Sequence, residues 1–219
     1  MESKYHYIIG NGHGSVNPTQ TATNAKNING KIMTAGKRSP RFPKGNQFEN
    51  QCLIEGVVNR DVVNYLSLML TDRNISYDIL VPNYIDMPLS VRCAKVNEIN
   101  KKSTKPCLYI SVHHNAFTPD WNSANGVSSH YFKKGGSYSS NGKRVAEYFQ
   151  PELVKSSGMR NRGVIGSNFK VLRSTVPVAL LLECGFMTNL IEATTLMTEQ
   201  GKQNTAKGIL AGILKNEQN

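Results

Sequence analysis

The chain has 219 residues, 39% of them hydrophobic, which suits one globular core and argues against a disordered chain. No stretch approaches the roughly 18 apolar residues of a membrane span, and Met1–His6 has no signal-peptide apolar core. The expectation is therefore synthesis in the cytosol without a signal peptide and no membrane insertion. Lys and Arg outnumber Asp and Glu 26 to 15, and the net charge of +11 favours polyanionic partners: nucleic acid, an anionic membrane surface or an acidic wall polymer.

In chain order, the apolar run at 5–10 predicts a first strand. Residues 14–50 follow, rich in Gly, Pro, Asn, Ser and Lys and without sustained period, which predicts a long loop. It is basic: Lys26, Lys31, Lys37, Arg38, Arg41 and Lys44 face only Glu49. Within it, 34–40 reads as an ordered turn. Val58, Val62, Leu66 and Met69 form a helical stripe that predicts a helix over 55–71. Residues 76–81 read as a strand stopped by Pro82. Residues 87–101 read as a helix capped by Asp86, with Pro88 in its first turn.

The run at 107–112 predicts the most apolar strand of the middle region, and 127–133 alternates like a strand near a sheet edge. A helix is predicted over 139–155, kinked or interrupted at Pro151. Residues 168–173 read as a short strand and 178–183 as the last core strand. Asn189 caps a short helix to 197, and Thr198 opens the final helix. Alternating strands and helices predict one domain over 1–219: an α/β three-layer sandwich with a mostly parallel twisted sheet and helices on both faces. Cys52, Cys93, Cys107 and Cys184 form no C-x-x-C pair and read as buried free thiols.

Three of the strand-like runs end on residues that bind metals or move protons. The first leads to His13 in Gly12-His13-Gly14, the middle one to His113 and His114, and the last to Glu183. In open α/β sheets, ligands bind beyond the carboxyl ends of the strands. Each signal alone has a plainer explanation, since a histidine in a turn is usually satisfied by backbone bonds. Glu183 closes an apolar run and must be paired, metal-bound or neutral. His113 and His114 point to opposite sides of an extended chain, so one of them faces the site. Glu55 starts a helix, where a glutamate is ordinarily an exposed partner of the helix dipole. Zinc in a hydrolase takes three protein ligands and leaves a position for water, with a further carboxylate as general base.

In four separated blocks the residues resemble the zinc-dependent N-acetylmuramoyl-L-alanine amidases of the amidase type 3 family. The blocks are Gly12-His13-Gly14, Glu55 followed by Asn59, Ser111-Val112-His113-His114-Asn115-Ala116, and Leu172-Arg173 through Pro177 to Glu183-Cys184-Gly185-Phe186 and Asn189. The loop block Thr34 to Pro40 and the segment Asn161-Arg162-Gly163-Val164 are more loosely similar to phage-type members. The resemblance implies Zn²⁺ held by His13, Glu55 and His113, with Glu183 as the catalytic glutamate. Asn115, Arg162 and Arg173 are expected substrate contacts, the arginines because stem peptides and wall polymers carry negative charge. Peptidoglycan stem peptide and glycan become the expected partners, anionic wall polymers further ones, and nucleic acid is not expected. The implied setting is cell-wall lysis by a phage or prophage endolysin, released by a holin or by lysis. One departure stands out: the family has Asp-x-Gly-His-Gly, and this chain has Gly10 in place of that Asp. Three other readings stay open: a zinc carboxypeptidase acting on stem peptides, a wall-binding domain without activity, and a basic nucleic-acid-binding domain.

Overall fold

The computed structural model describes residues 3–14, 37–81 and 86–219. Much of the predicted basic loop, with Lys26, Lys31 and the start of the 34–40 turn, lies outside the described residues, as does Pro82.

The strands are β1 (His6–Asn11), β2 (Tyr77–Ile79), β3 (Cys107–Asn115), β4 (Val127–Lys134), β5 (Ser137–Tyr138), β6 (Asn161–Ser167) and β7 (Val178–Phe186). The helices are α1 (Glu55–Thr71), α2 (Leu89–Lys102), α3 (Ser140–Ser157), α4 (Lys170–Arg173), α5 (Leu190–Met197) and α6 (Glu199–Gln218). The sheet runs β2-β1-β3-β7-β4-β5, with β6 also paired to β4. The pairs β1–β2, β1–β3, β3–β7 and β4–β6 are parallel, whereas β4 runs antiparallel to β7 and to β5.

Side chains alternate across each strand, and the two sheet faces bury separate clusters. On one face Leu108, Ile110, Val112, Leu180 and Leu182 pack against Val62 and Leu66 of α1, Phe149 of α3 and Ile209 and Ile213 of α6. On the other, Ile8, Tyr109 and Leu181 pack against Cys93 and Val96 of α2 and Val171 and Leu172 of α4. This is the predicted three-layer α/β arrangement. All four cysteines are free and buried, and no helix among the described residues is long and apolar enough to cross a membrane.

Several local expectations are corrected. Residues 161–167, for which no element was expected, form β6, because β4 supplies a partner edge from Val127 to Phe132. The predicted strand at 168–173 is instead the single turn α4, whose Val171 and Leu172 fill the second cluster. Helix α3 continues through Pro151, held by the buried side chains of Val145, Ala146, Phe149 and Leu153. Asp86 does not cap α2, which begins after Pro88 without a side-chain cap. Its carboxylate instead pairs with Lys37 Nζ at 3.0 Å. The caps at Asn189 and Thr198 form as expected: Asn189 accepts from the amides of Ile191 and Glu192, and Thr198 from that of Gly201.

Candidate metal centre

The site lies at the carboxyl ends of β1, β3 and β7. In the parallel register His113 stands beside Glu183. Glu55 reaches the same edge from the start of α1. It is 2% exposed, not the solvent-facing residue its position alone implied. His13 Nε2 lies 3.0 Å from one Glu55 oxygen and His113 Nδ1 lies 3.0 Å from the other. Candidate ligand atoms of His13, Glu55 and His113 all fall within 4.8 Å of one another, the one such trio among the described residues.

Glycines let the elements approach this closely. A Cβ on Gly12 would sit 2.3 Å from His113 Cε1 and 2.4 Å from its Nδ1, and one on Gly14 would sit 2.6 Å from Asp86 Cβ. His13 takes the left-handed backbone conformation, φ 58°, an uncommon state for a side-chain-bearing residue. Arg92 of α2 supports it, donating to the carbonyls of Asn11 (2.6 Å), His13 (3.3 Å) and Met87 (3.1 Å).

His114 points the other way, as strand alternation requires. It is buried, with Nδ1 2.7 Å from Asn59 Oδ1, and Asn59 donates to Gly12 O at 3.0 Å. Asn59 therefore ties α1 to both histidine-bearing strand ends. The His114 amide donates to Glu55 at 3.2 Å.

Glu183 Oε2 is buried without a hydrogen-bond partner. Burial, and next the charge of Glu55, raise its pKa well above the usual carboxylate range. Glu55 behaves oppositely. Burial pushes its pKa up, but the bonds from His113 and His13 outweigh it and the carboxyl is held well below its ordinary value. The environments of the two carboxyls thus push them in opposite directions, the usual route to separate roles. Beyond Glu183 the β3–β7 register shifts, and Gly185 adopts φ 121°, where its Cβ would meet Met159 Sδ at 2.8 Å. The buried Glu192 carboxylate pins this bulge by accepting from the amides of Phe186 (2.8 Å) and Gly126 (2.7 Å).

The donor set fits zinc: two imidazoles and a carboxylate converge, with a second carboxyl alongside. The expected substrate contacts are placed less centrally. Asn115 Oδ1 accepts from the Ala116 amide. Arg162 lies over the Phe186 ring at 4.9 Å and donates to Asn125 O. Arg173 donates to Asn168 O and borders a hollow with Phe132 and Tyr138, separate from the histidine cluster. An open cleft of about 490 Å³ adjoins His13 and His113, walled by Lys37, Asp86 and Arg92. Arg92 is not foreseeable from the sequence, since an arginine on a mostly polar helix reads as solvent-facing.

The chain is 34% identical over 117 residues to the N-acetylmuramoyl-L-alanine amidase LytC of Bacillus subtilis, covering 53% of this chain and 23% of that protein. It is 32% identical over 117 residues to an uncharacterised cell wall amidase of Bacillus anthracis, covering 52% of this chain and 22% of that protein. The match thus spans less than a quarter of the length of these two relatives. The fold is similar to the crystal structure of an N-acetylmuramoyl-L-alanine amidase from Clostridium difficile 630, with a TM-score of 0.72 and 24% identity over 98% of this chain and 97% of that one. Residues 8–215 match the sequence profile of the N-acetylmuramoyl-L-alanine amidases, and the chain belongs to that family.

Proposed function

We propose that the chain is a zinc-dependent amidase. It hydrolyses the amide between the lactyl group of N-acetylmuramic acid and the L-alanine of peptidoglycan stem peptides. The observation that carries this reading is the His13–Glu55–His113 cluster, two partly exposed histidines on a buried carboxylate, with the unpartnered Glu183 carboxyl in register beside it.

His13, Glu55 and His113 would hold the zinc ion. When bound, zinc supplies Lewis-acid polarisation of the scissile carbonyl and lowers the pKa of the attacking water. Glu183, as carboxylate, takes the water proton and delivers it to the leaving amine nitrogen as the C–N bond breaks. Its buried, raised-pKa setting suits a group that must hold a proton near neutral pH and release it again. Asn59 and Arg92 hold the ligand-bearing backbone in place. Arg162, over Phe186, and the basic residues near the cleft would attract the acidic stem peptide and anionic wall polymers.

The biological reading is cell-wall lysis of the endolysin kind, with residues 1–219 acting as one catalytic unit on wall peptidoglycan. Its support is the looser similarity of residues 161–164, the first half of β6, to phage-type members. Purified protein should carry about one zinc per chain. Glu183→Gln should keep that zinc yet lose on the order of 10²–10⁴-fold in activity, the usual contribution of general acid–base catalysis. Normal turnover by Glu183→Gln sinks the mechanism, and a protein without zinc sinks the cofactor assignment.

A further inference from the structure

Alternation on β3 puts Tyr109, Ser111 and His113 on the face turned toward α2 and α4. They form a connected row. His113 Nε2 is 3.2 Å from Ser111 Oγ, and the Tyr109 hydroxyl donates to the same Oγ at 3.5 Å, the long limit of such a bond. Tyr109 and Ser111 are buried, so water does not readily substitute for either hydroxyl. The neighbouring strand leaves room for the row with two glycines. Gly10 pairs with Ser111. A Cβ on Gly10 would lie 2.8 Å from the Tyr109 oxygen, and a Cβ on Gly12 would strike the His113 ring. The tyrosine therefore fills the space over Gly10.

We infer that Ser111, backed by Tyr109, is the positioning residue that fixes the ring and tautomer of His113, the task a carboxylate often performs behind a metal-ligating histidine. The inference rests on the zinc reading above. An imidazole offers a lone pair at one nitrogen only while the other carries its proton. The two His113 nitrogens face different partners: Nδ1 faces Glu55 and Nε2 faces Ser111. A hydroxyl both donates and accepts. In the metal-free protein Ser111 can donate to Nε2 while Nδ1–H bonds the Glu55 carboxylate. When Nδ1 is a ligand, the proton sits on Nε2 and Ser111 accepts it. A carboxylate would favour only the second arrangement, so the hydroxyl row accommodates both the metal-free and the loaded protein.

The test is zinc affinity, measured by chelator competition, with metal-free melting temperatures alongside. Ser111→Ala should bind zinc about 10–100-fold more weakly, the range typical of losing such a partner. Ser111→Thr and Ser111→Val add nearly the same volume and differ in the hydroxyl, which separates a packing effect from the hydrogen bond. Thr should stay within a few-fold of the parent and Val should resemble Ala, while Tyr109→Phe should show a smaller loss. Equal affinity of Ser111→Thr and Ser111→Val, or unchanged affinity in Ser111→Ala, overturns the inference and leaves the zinc reading intact. A parent chain that binds no zinc overturns both.

Discussion

Replacing Gly12 by alanine gives the sharpest perturbation of the site, because one methyl group meets one ligand. The added Cβ would lie 2.3–2.6 Å from His113 Cε1, Nδ1 and Nε2, far inside contact distance. The clash cannot be relieved while the ring keeps its bonds to Glu55 and Ser111, so His113 must swing away or β1 must separate from β3. Overpacking of this kind costs about 1–3 kcal/mol. For a chain of this size each kcal/mol lowers Tm by roughly 2–4 °C, which gives a drop of about 2–12 °C. Zinc affinity should fall by more than the 10–100-fold typical of losing a supporting partner, since a ligand itself is displaced. Calorimetry of the metal-free protein and chelator competition read the two effects separately. A Gly12→Ala protein with parental zinc affinity would refute the placement of His113 in the site.

Three further outcomes follow from the fold. His130 is buried between Ser128 Oγ (2.9 Å) and Ser167 Oγ (2.8 Å). Burial first, then the charges of Arg162 and His113, lowers its pKa from 6.5 to about 4. The unfolded chain therefore takes up this proton first, so the stability from His130 is complete above about pH 6.5 and drains away toward pH 4. That loss is on the order of 3 kcal/mol. Urea unfolding at pH 7 and pH 4 should show a smaller acid loss in His130→Gln than in the parent, and parallel losses contradict the assignment. Asn189→Ala removes both bonds that start α5 and should cost about 1 kcal/mol in the same assay. Phe149→Ala empties the space where Gly212 packs on the ring. It should cost roughly 3–5 kcal/mol, and a cost below 1 kcal/mol would contradict the α3–α6 packing.

The sheet centre was legible because β1, β3 and β7 are buried on both faces, and such strands read as continuous apolar runs. Helix α1 was legible from its 3.6-residue stripe. β6 was not, since Gly163 and Gly166 carry no side-chain pattern and the strand exists only because β4 lies beside it. The strand-end rule put His13, His113 and Glu183 at one edge, where the structure has them. Glu55 was hidden, because a helix-start glutamate is ordinarily exposed, and only tertiary packing buries this one between two histidines. Arg92 and Tyr109 were silent for the same reason: each acts on backbone or side chains distant in sequence. Gly10 was visible, but its meaning depends on the tyrosine that crowds that position from the next strand.

The bond that is cut defines the enzyme. Digestion of purified peptidoglycan by the zinc-loaded chain, followed by mass analysis, decides it most directly. An amidase releases intact stem peptides with a free L-alanine amino group, leaves glycan strands stripped of peptide, and yields neither product once zinc is chelated. Stem peptides shortened from their carboxyl ends while still attached to N-acetylmuramic acid would contradict it and point to a carboxypeptidase.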